Sequence, residues 1–184
     1  VQTCALRSLD RRFDAQPNAC PVCGPRVSLL DAERMLIEGD AIAETIRRVR
    51  AGQIVAVKGL GGYHLCCDAG SNDAVGLLRE RKRRPAKALA VMFPSLEEVG
   101  RHCLFDDRER EELLACSRPI LILRQRPESR LSPLVAPDTN DIGCFLPYTP
   151  VHILLLRELG PVVMTSGNLS EEPIVSEESE LDRL

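Results

Sequence analysis

Hydrophobic positions along most of the chain alternate between the spacing of an amphipathic helix and the short continuous runs of buried strands. Within residues 40–51, Ile42, Ile46 and Val49 fall on one face of a helix. The next apolar run, residues 54–57, is short and ends at a glycine-rich turn, which predicts a buried strand. This alternation indicates a domain in which helices cover a β-sheet.

The same two patterns predict the remaining elements. Further strands are expected at residues 63–67, 89–93, 120–123, 142–146 and 162–165, and further helices at 72–82, from 95 onward, and at 107–115, 151–159 and 177–184. The predicted fold class is therefore α/β or α+β. The polar, loop-like residues 1–30 are expected to form a separate segment, and residues 31–184 a domain whose last helix is cut short at its C-terminal end.

Composition narrows the class of protein. With 44% hydrophobic and 28% charged residues, the chain has the balance of a folded globular domain. Its net charge of −3 provides no general attraction to nucleic acid, so a polyanion site has to be a local basic patch. An aromatic content of 3% argues against a base-stacking surface. No apolar run is long enough to span a bilayer, which predicts a cytoplasmic protein with no membrane association.

The cysteines suggest metal chemistry at only one place. Cys20 and Cys23 have the C-x-x-C spacing of half a zinc site, which needs a second pair. Cys4 lies upstream, but Val1 occupies the position three residues before it, so a complete four-cysteine site cannot be assembled and two free thiols remain the alternative. Four other cysteines lie within or beside apolar segments and are expected to be small buried side chains: Cys66, Cys103, Cys116 and Cys144.

A dense basic run is the first candidate for binding chemistry. Six cations fall within nine residues, namely Arg79, Arg81, Lys82, Arg83, Arg84 and Lys87. Like charges at this density repel one another, so the run indicates an anion such as a phosphate or an RNA backbone. The alternative is a solvated helix end, where cations also interact favourably with the helix dipole.

Two further segments carry polar groups at the ends of predicted strands. Lys58 precedes a turn containing Gly59 and Gly61, whose amides could form an anion-binding nest, although the residues by themselves favour a simple tight turn. Ser166 and Asn168 follow an apolar run and could bind polar ligand atoms or make an ordinary turn.

A stiff loop forms the last candidate segment. Residues 146–150, LPYTP, are either the wall of a pocket or a rigid connection. His152, just beyond the loop, is expected to be a packed helix residue rather than a ligand.

Taken in order, these segments resemble the HypF family, the carbamoyltransferases of [NiFe]-hydrogenase maturation. The resemblance rests on DRRFDAQPNACPVCGP, KGLGGYHLCCDA, RERKRRPAKALAVMF, SRPILIL, IGCFLPYTPVHILLL and VMTSGNLSEEPIV. It covers the end of a zinc finger and most of a YrdC-like domain. It implies a mixed, twisted sheet with flanking helices around a basic concave cavity.

The resemblance also implies roles for particular residues. The family's ATP-binding K-x-R and S-x-N elements fall on Lys82 and Arg84 and on Ser166 and Asn168. The other implied binding residues are Lys87, which would contact phosphate, and Lys58 with Gly59 and Gly61, which would lie near the carbamoyl and phosphate groups. Lys58, Lys82 and Arg84 are the residues implied to act in catalysis.

The implied reaction uses carbamoyl phosphate and ATP, with Mg²⁺, to form carbamoyl adenylate and pyrophosphate. A further domain then transfers the carbamoyl group to HypE, where it becomes the cyanide ligand of the hydrogenase iron. Zinc is implied for a full-length parent protein, and this chain is expected to be a fragment that does not complete the reaction alone. Three alternatives remain open: a double-stranded RNA-binding YrdC-like module, an enzyme like the threonylcarbamoyl-AMP synthases of tRNA modification, and an inert scaffold.

Overall fold

The structure is a computed structural model that describes residues 24–168 and 172–183. For residues 182 and 183 it describes the backbone alone. The chain divides into two compact units, residues 1–41 and 42–184. The described part of the first unit contains a two-stranded antiparallel ladder of β1 (Leu29–Leu30) and β2 (Leu36–Ile37). The boundary expected between residues 30 and 31 stays a prediction.

The second unit is built on a seven-stranded mixed sheet. Its strands are β3 (Val55–Lys58), β4 (Tyr63–Asp68), β5 (Ala90–Met92), β6 (Cys103–Leu104), β7 (Leu121–Gln125), β8 (Asp141–Phe145) and β9 (Val162–Ser166). Their order in the sheet is β3-β4-β9-β5-β8-β7-β6. Every neighbouring pair is antiparallel except β5 and β8, which are parallel. The predicted mixed sheet fold is confirmed.

Five helices and two 3₁₀ segments accompany the sheet. The helices are α1 (Ala41–Arg50), α2 (Asn72–Arg81), α3 (Leu96–His102), α4 (Asp107–Leu114) and α5 (Pro150–Leu159). The 3₁₀ segments are Pro133–Val135 and Glu178–Arg183. The prediction of a regular helix at 177–184 is therefore wrong: the described part of that segment is a 3₁₀ helix.

The two faces of the sheet are covered to different extents. On one face, Leu65, Val91 and Val163 belong to a large core with residues of α2, α3 and α4. On the other face, α1 and α5 pack over β3, β4, β5, β8 and β9 through side chains such as Val49 and Leu155. No residue of β7 belongs to this second cluster. The sheet therefore emerges from beneath its helices on the β7 side, which leaves room for a cavity.

Arg79 is a structural residue inside the fold rather than part of a basic surface. It lies in α2 and is 7% exposed. Its guanidinium donates hydrogen bonds to five backbone carbonyl oxygens, those of Arg84, Pro85, Lys87, Leu134 and Val135. The anion-binding interpretation of the basic run is therefore wrong for this residue, because its donors are already satisfied by the loop they hold.

The basic run changes direction at Arg83. Its φ of 49° lies in the left-handed region, which glycine most often occupies at a helix end. The Arg83 N–H donates to the Glu80 carbonyl and the Arg84 N–H donates to the Arg79 carbonyl, each at 3.0 Å. These two bonds form a Schellman motif that ends α2. The reversal directs Lys82 into the fold and leaves Arg84 free to point elsewhere.

The fold differs from the sequence predictions in two respects, because short strands and burial depend on tertiary packing rather than on local pattern. Strands β1, β2 and β6 were not predicted, since each has two residues and so carries no period. Cys116 is exposed, contrary to the expectation that it is buried, because it lies in the turn between α4 and β7. Cys66, Cys103 and Cys144 are buried as predicted.

We expect Arg79→Lys to destabilise the protein by about 2–4 kcal/mol, because one ammonium cannot replace a planar fork that satisfies five buried carbonyls. The measurement is urea unfolding followed by circular dichroism, since the chain has no tryptophan. Arg81→Lys is the matched control, because Arg81 is an exposed residue of the same helix. Equal unfolding midpoints for the two variants would contradict a structural role for Arg79.

Candidate functional site

A cavity of about 380 Å³ lies where the helical cover of the sheet ends. Eleven residues line it: His64, Arg84, Ala88, Ala90, Arg118, Ile120, Phe145, Tyr148, Met164, Thr165 and Ser166. Two of them, Arg84 and Arg118, carry guanidinium groups, and none of these lining residues is a carboxylate. The cavity therefore has a positive potential that favours an anionic ligand.

Small residues keep the floor of the cavity open. Ala90 of β5 and Gly143 of β8 are register partners in the sheet. A Cβ on Gly143 would lie 3.1 Å from the Ile120 side chain, tighter than normal packing. A larger side chain at this position would press on Ile120 and Ala90, which both line the cavity.

Lys82 lies in the wall beside the cavity with its charge enclosed. The side chain is 2% exposed, and its Nζ donates to the Ser166 carbonyl at 2.6 Å and to the Asn168 carbonyl at 2.7 Å. A third bond of 3.1 Å reaches the Asn168 Oδ1. These three acceptors use all three ammonium donors. Lys82 thus ties the end of α2 to the turn that follows β9.

The side chain of Asn168 is also used within this turn. Its Oδ1 accepts from the Ser166 Oγ at 2.7 Å, and its Nδ2 donates to the Glu172 carbonyl at 2.6 Å. The Gly167 N–H donates to the Tyr63 carbonyl at 2.7 Å, which attaches the turn to β4. Ser166 lines the cavity, whereas Asn168 holds the turn from behind.

Two cations sit close together in this wall, and their charges affect each other. Burial, and then the charge of Arg84, lower the pKa of Lys82 from its ordinary 10.5 to about 8. Burial also lowers the pKa of Arg84. Both shifts mean that burial makes the charged forms of Lys82 and Arg84 less favourable. A bound anion would offset this cost, so the site favours anionic ligands beyond simple attraction.

Arg84 is the residue of the basic run that faces the cavity. Its Nη2 donates to the Ala88 carbonyl at 2.7 Å and its Nε donates to the Lys87 carbonyl at 3.3 Å, which fix the guanidinium at the entrance to β5. The Lys87 side chain is exposed and does not line the cavity. Lys58 is likewise exposed at the end of β3, with its Nζ 5.2 Å from the centre of the Tyr63 ring. Neither lysine is among the residues that line the cavity with Arg84.

The glycine turn after β3 is a tight turn rather than an open anion nest. The Gly59 N–H donates to the Gly62 carbonyl at 2.8 Å, so this amide is not free for a ligand. A Cβ on Gly59 would lie 2.8 Å from the His64 ring, and this close approach requires glycine. Gly61 has open space around it and, like Gly59, does not line the cavity. The tight-turn alternative therefore accounts for the amide of Gly59.

Three rings pack together at one end of the cavity. The Tyr148 hydroxyl lies 3.3 Å from the His64 Nε2, and the Tyr148 and His152 rings meet edge to face at 4.6 Å between centroids. His152 is fully buried, and neither of its ring nitrogens has a hydrogen-bond partner among the residues described. Tyr148 therefore makes the LPYTP loop a pocket wall, and His152 is a packed helix residue as predicted.

Sequence reasoning missed Arg118 and His64 as cavity residues. Arg118 stands directly before the apolar run of β7, and that run predicts a strand and nothing about the residue preceding it. His64 lies within a predicted strand, where alternation alone does not say which side carries a ligand. The signal for Arg118 was its charge shortly before a buried strand.

The structure gives no test of the predicted zinc ligands. Cys20 and Cys23 lie outside the described residues. Within the described ranges, no group of three or more His, Cys, Asp or Glu side chains could hold a metal ion. In the same ranges, no helix is both long and apolar enough to cross a membrane.

We expect His152→Leu to stabilise the protein and to make its free energy of unfolding less dependent on pH. Burial, and then the nearby His64, lower the pKa of His152 from 6.5 to about 4. Between these pH values the unfolded chain binds a proton that the folded chain rejects, so the stability of the wild type falls as the pH falls. The variant should gain about 1 kcal/mol at pH 7 and more at pH 5.

The measurement for His152 is urea unfolding at pH 7 and pH 5, with Leu155→Ala as a control that destabilises the same helix equally at both values. If the free energies of unfolding of the wild type and of His152→Leu change by the same amount between pH 7 and pH 5, the buried neutral histidine is contradicted.

Fold and cavity together define a mixed α/β domain with a cavity lined by two guanidiniums. A family model described as "Telomere recombination" (Sua5_yciO_yrdC) matches residues 47–184, more than half of the chain, so the chain belongs to the Sua5/YciO/YrdC family. A second model, described as "HypF finger", matches residues 6–30. The two matches follow one another in the order that the sequence motifs indicated.

The chain is similar to HypF carbamoyltransferases over most of its length. It is 49% identical to carbamoyltransferase HypF of Rhodobacter capsulatus over 167 residues, which cover 90% of this chain and 22% of that protein. A crystal structure of full-length HypF in a phosphate- and nucleotide-bound form matches with a TM-score of 0.87 and 40% identity, covering 100% of this chain and 25% of that chain. The chain thus spans about a fifth of the length of the curated HypF relatives.

A more distant relative has a different name. The threonylcarbamoyl-AMP synthase of Mus musculus is 31% identical over 137 residues, which cover 72% of this chain and 48% of that protein. The resemblance to the HypF family is confirmed, and the synthases are more distant relatives.

Proposed function

We propose that residues 42–184 bind ATP and form carbamoyl adenylate, as part of a HypF-type carbamoyltransferase. The observation that carries the proposal is the cavity with two guanidiniums and no carboxylate among its described lining residues. Similarity to a HypF structure that holds phosphate and nucleotide supports the same ligand class. The cavity volume also lies within the range of small-molecule sites, about 300–1,000 Å³.

The reaction needs charge stabilisation more than a nucleophilic side chain. Hydrolysis of carbamoyl phosphate gives carbamate and inorganic phosphate, and a carbamate oxygen then attacks the α-phosphorus of ATP. The bond from that phosphorus to the bridging oxygen breaks, and pyrophosphate leaves with the additional charge. Arg84 faces the cavity and would donate to phosphate oxygens as this charge develops. The Ser166 hydroxyl would position the nucleotide by hydrogen bonding.

Lys82 would act through the turn it holds. Its three donors are used by Ser166 and Asn168, so in this arrangement it positions the cavity wall and adds a positive field. Family resemblance adds substrate contacts by six residues that do not line the cavity. These are Lys58, Gly59, Gly61, Lys82, Lys87 and Asn168.

The lining residues do not fit a resident magnesium site, because none of those described is a carboxylate. In the proposed reaction Mg²⁺ is therefore only a counterion that accompanies the nucleotide. Zinc binding by the finger segment and transfer of the carbamoyl group to HypE are further proposals, which rest on the match of residues 6–30 and on the family resemblance.

The synthase relative supports a second candidate function. Adenylation of threonylcarbamate would use the same phosphate-binding cavity with a different acyl group. Pyrophosphate exchange into ATP that depends on carbamoyl phosphate would favour the first function, and exchange that depends on threonine and bicarbonate would favour the second.

The direct test is calorimetric titration of the purified chain with Mg-ATP. We expect binding at one site, weakened about tenfold or more in Arg84→Ala, because a charge-assisted hydrogen bond to phosphate is lost. Arg81→Ala is the matched control, since it removes an exposed cation three residues away that does not line the cavity.

Two results would count against nucleotide binding. A folded wild type that does not bind Mg-ATP, or an Arg84→Ala variant with unchanged affinity, would contradict the proposal. Binding to double-stranded RNA that falls steeply with salt and is not displaced by ATP would favour the RNA-binding alternative instead.

A further inference from the structure

Arg118 has an unusual backbone for a residue with a long side chain. Its φ of 47° lies in the left-handed region, which disfavours residues with a Cβ. A turn fixes this conformation, since the Arg118 N–H donates to the Ala115 carbonyl at 3.0 Å. Glycine or asparagine would adopt it with less strain. Such strain in a cavity wall is typical of a residue retained for binding rather than for stability.

The side chain of Arg118 is anchored but not neutralised. Its Nη1 donates to the Leu113 carbonyl at 3.2 Å, which holds the guanidinium against the end of α4. Within residues 24–168 and 172–183 it makes no ion pair. Arg124, on the same stretch of chain, pairs instead with Asp141 at 3.4 Å. Arg118 therefore carries a charge that the described protein leaves for a ligand.

The fold places Arg118 opposite Arg84. Arg84 precedes β5 and Arg118 precedes β7, and β8 lies between those two strands. Because β8 is parallel to β5 and antiparallel to β7, these two positions lie at opposite ends of the sheet, and both side chains line the cavity between them. Ala90 lines the cavity with a single methyl group, and its register partner Gly143 has no side chain.

We propose that Arg118 is the second phosphate-binding residue of the cavity, acting across the floor from Arg84. The proposal rests on the proposed function, since the ligand is a phosphate group of its substrates. Two sources share this chemistry: the polyphosphate of the nucleotide, and the phosphate of carbamoyl phosphate. A planar guanidinium that binds two oxygens at once suits either source.

Arg118→Gly is the informative variant because it removes the charge and relieves the backbone. We expect a thermal unfolding midpoint equal to or above that of the wild type, together with an affinity loss of about tenfold or more for at least one probe. The probes are inorganic pyrophosphate, carbamoyl phosphate, Mg-ATP and AMP. Arg118→Lys, which keeps the charge and loses the fork, should bind with intermediate affinity, and Arg124→Ala is the control with unchanged affinity.

The probes separate the two sources. A loss for pyrophosphate and Mg-ATP, with AMP and carbamoyl phosphate unchanged, assigns Arg118 to the nucleotide polyphosphate. A loss for carbamoyl phosphate alone assigns it to that substrate. Either pattern supports the proposal.

Arg118→Gly and Arg118→Lys variants that bind every probe like the wild type, while Arg84→Ala does not, would overturn the role of Arg118 and leave the proposed function standing. A folded wild type that binds none of the probes would overturn both. If Arg118→Gly fails to fold, the affinity of Arg118→Lys decides between these results.

Discussion

The enclosed ammonium of Lys82 is the interaction on which the cavity depends. Removing a charged amine from water costs several kcal/mol unless polar atoms replace the lost solvation. In this wall the Ser166 and Asn168 carbonyls and the Asn168 amide oxygen replace it. Lys82 follows α2, and its acceptors are the last residue of β9 and Asn168 just beyond it. One buried charge therefore holds together two segments that are 84 residues apart in sequence. That contact positions the part of the cavity wall that contains Ser166.

The basic run illustrates how neighbouring residues of the same charge acquire different roles. The Schellman motif at Arg83 reverses the chain, so that Lys82 enters the fold and Arg84 faces the cavity. Arg79 fixes the following loop by binding its carbonyls. Arg79 therefore shapes the loop, and Arg84 is the guanidinium of the run that faces the cavity. The second guanidinium comes from Arg118, on a different part of the chain.

Local pattern was sufficient to predict the regular parts of this fold. The helices α1, α2 and α5 and the strands β4 and β9 follow from periodicity that each segment carries by itself. Motif resemblance singled out Arg84 and Ser166, and both line the cavity. The use of Lys82 and Asn168 within the wall, and the presence of Arg118, follow from which strands become neighbours. That order depends on packing across the whole sheet and leaves no mark in a single segment.

Amide hydrogen exchange on the wild type and on Lys82→Met, with Mg-ATP titrations of both, tests the central role of Lys82 most directly. If the ammonium positions the turn, the amides of Gly167 and Val175, which bond to Tyr63 and Gly167, should exchange faster in the variant while ATP affinity falls. Amides of β7 should be unchanged. Lost ATP affinity with wild-type exchange at Gly167 and Val175 would contradict this account, because Lys82 would then act by contacting the ligand itself.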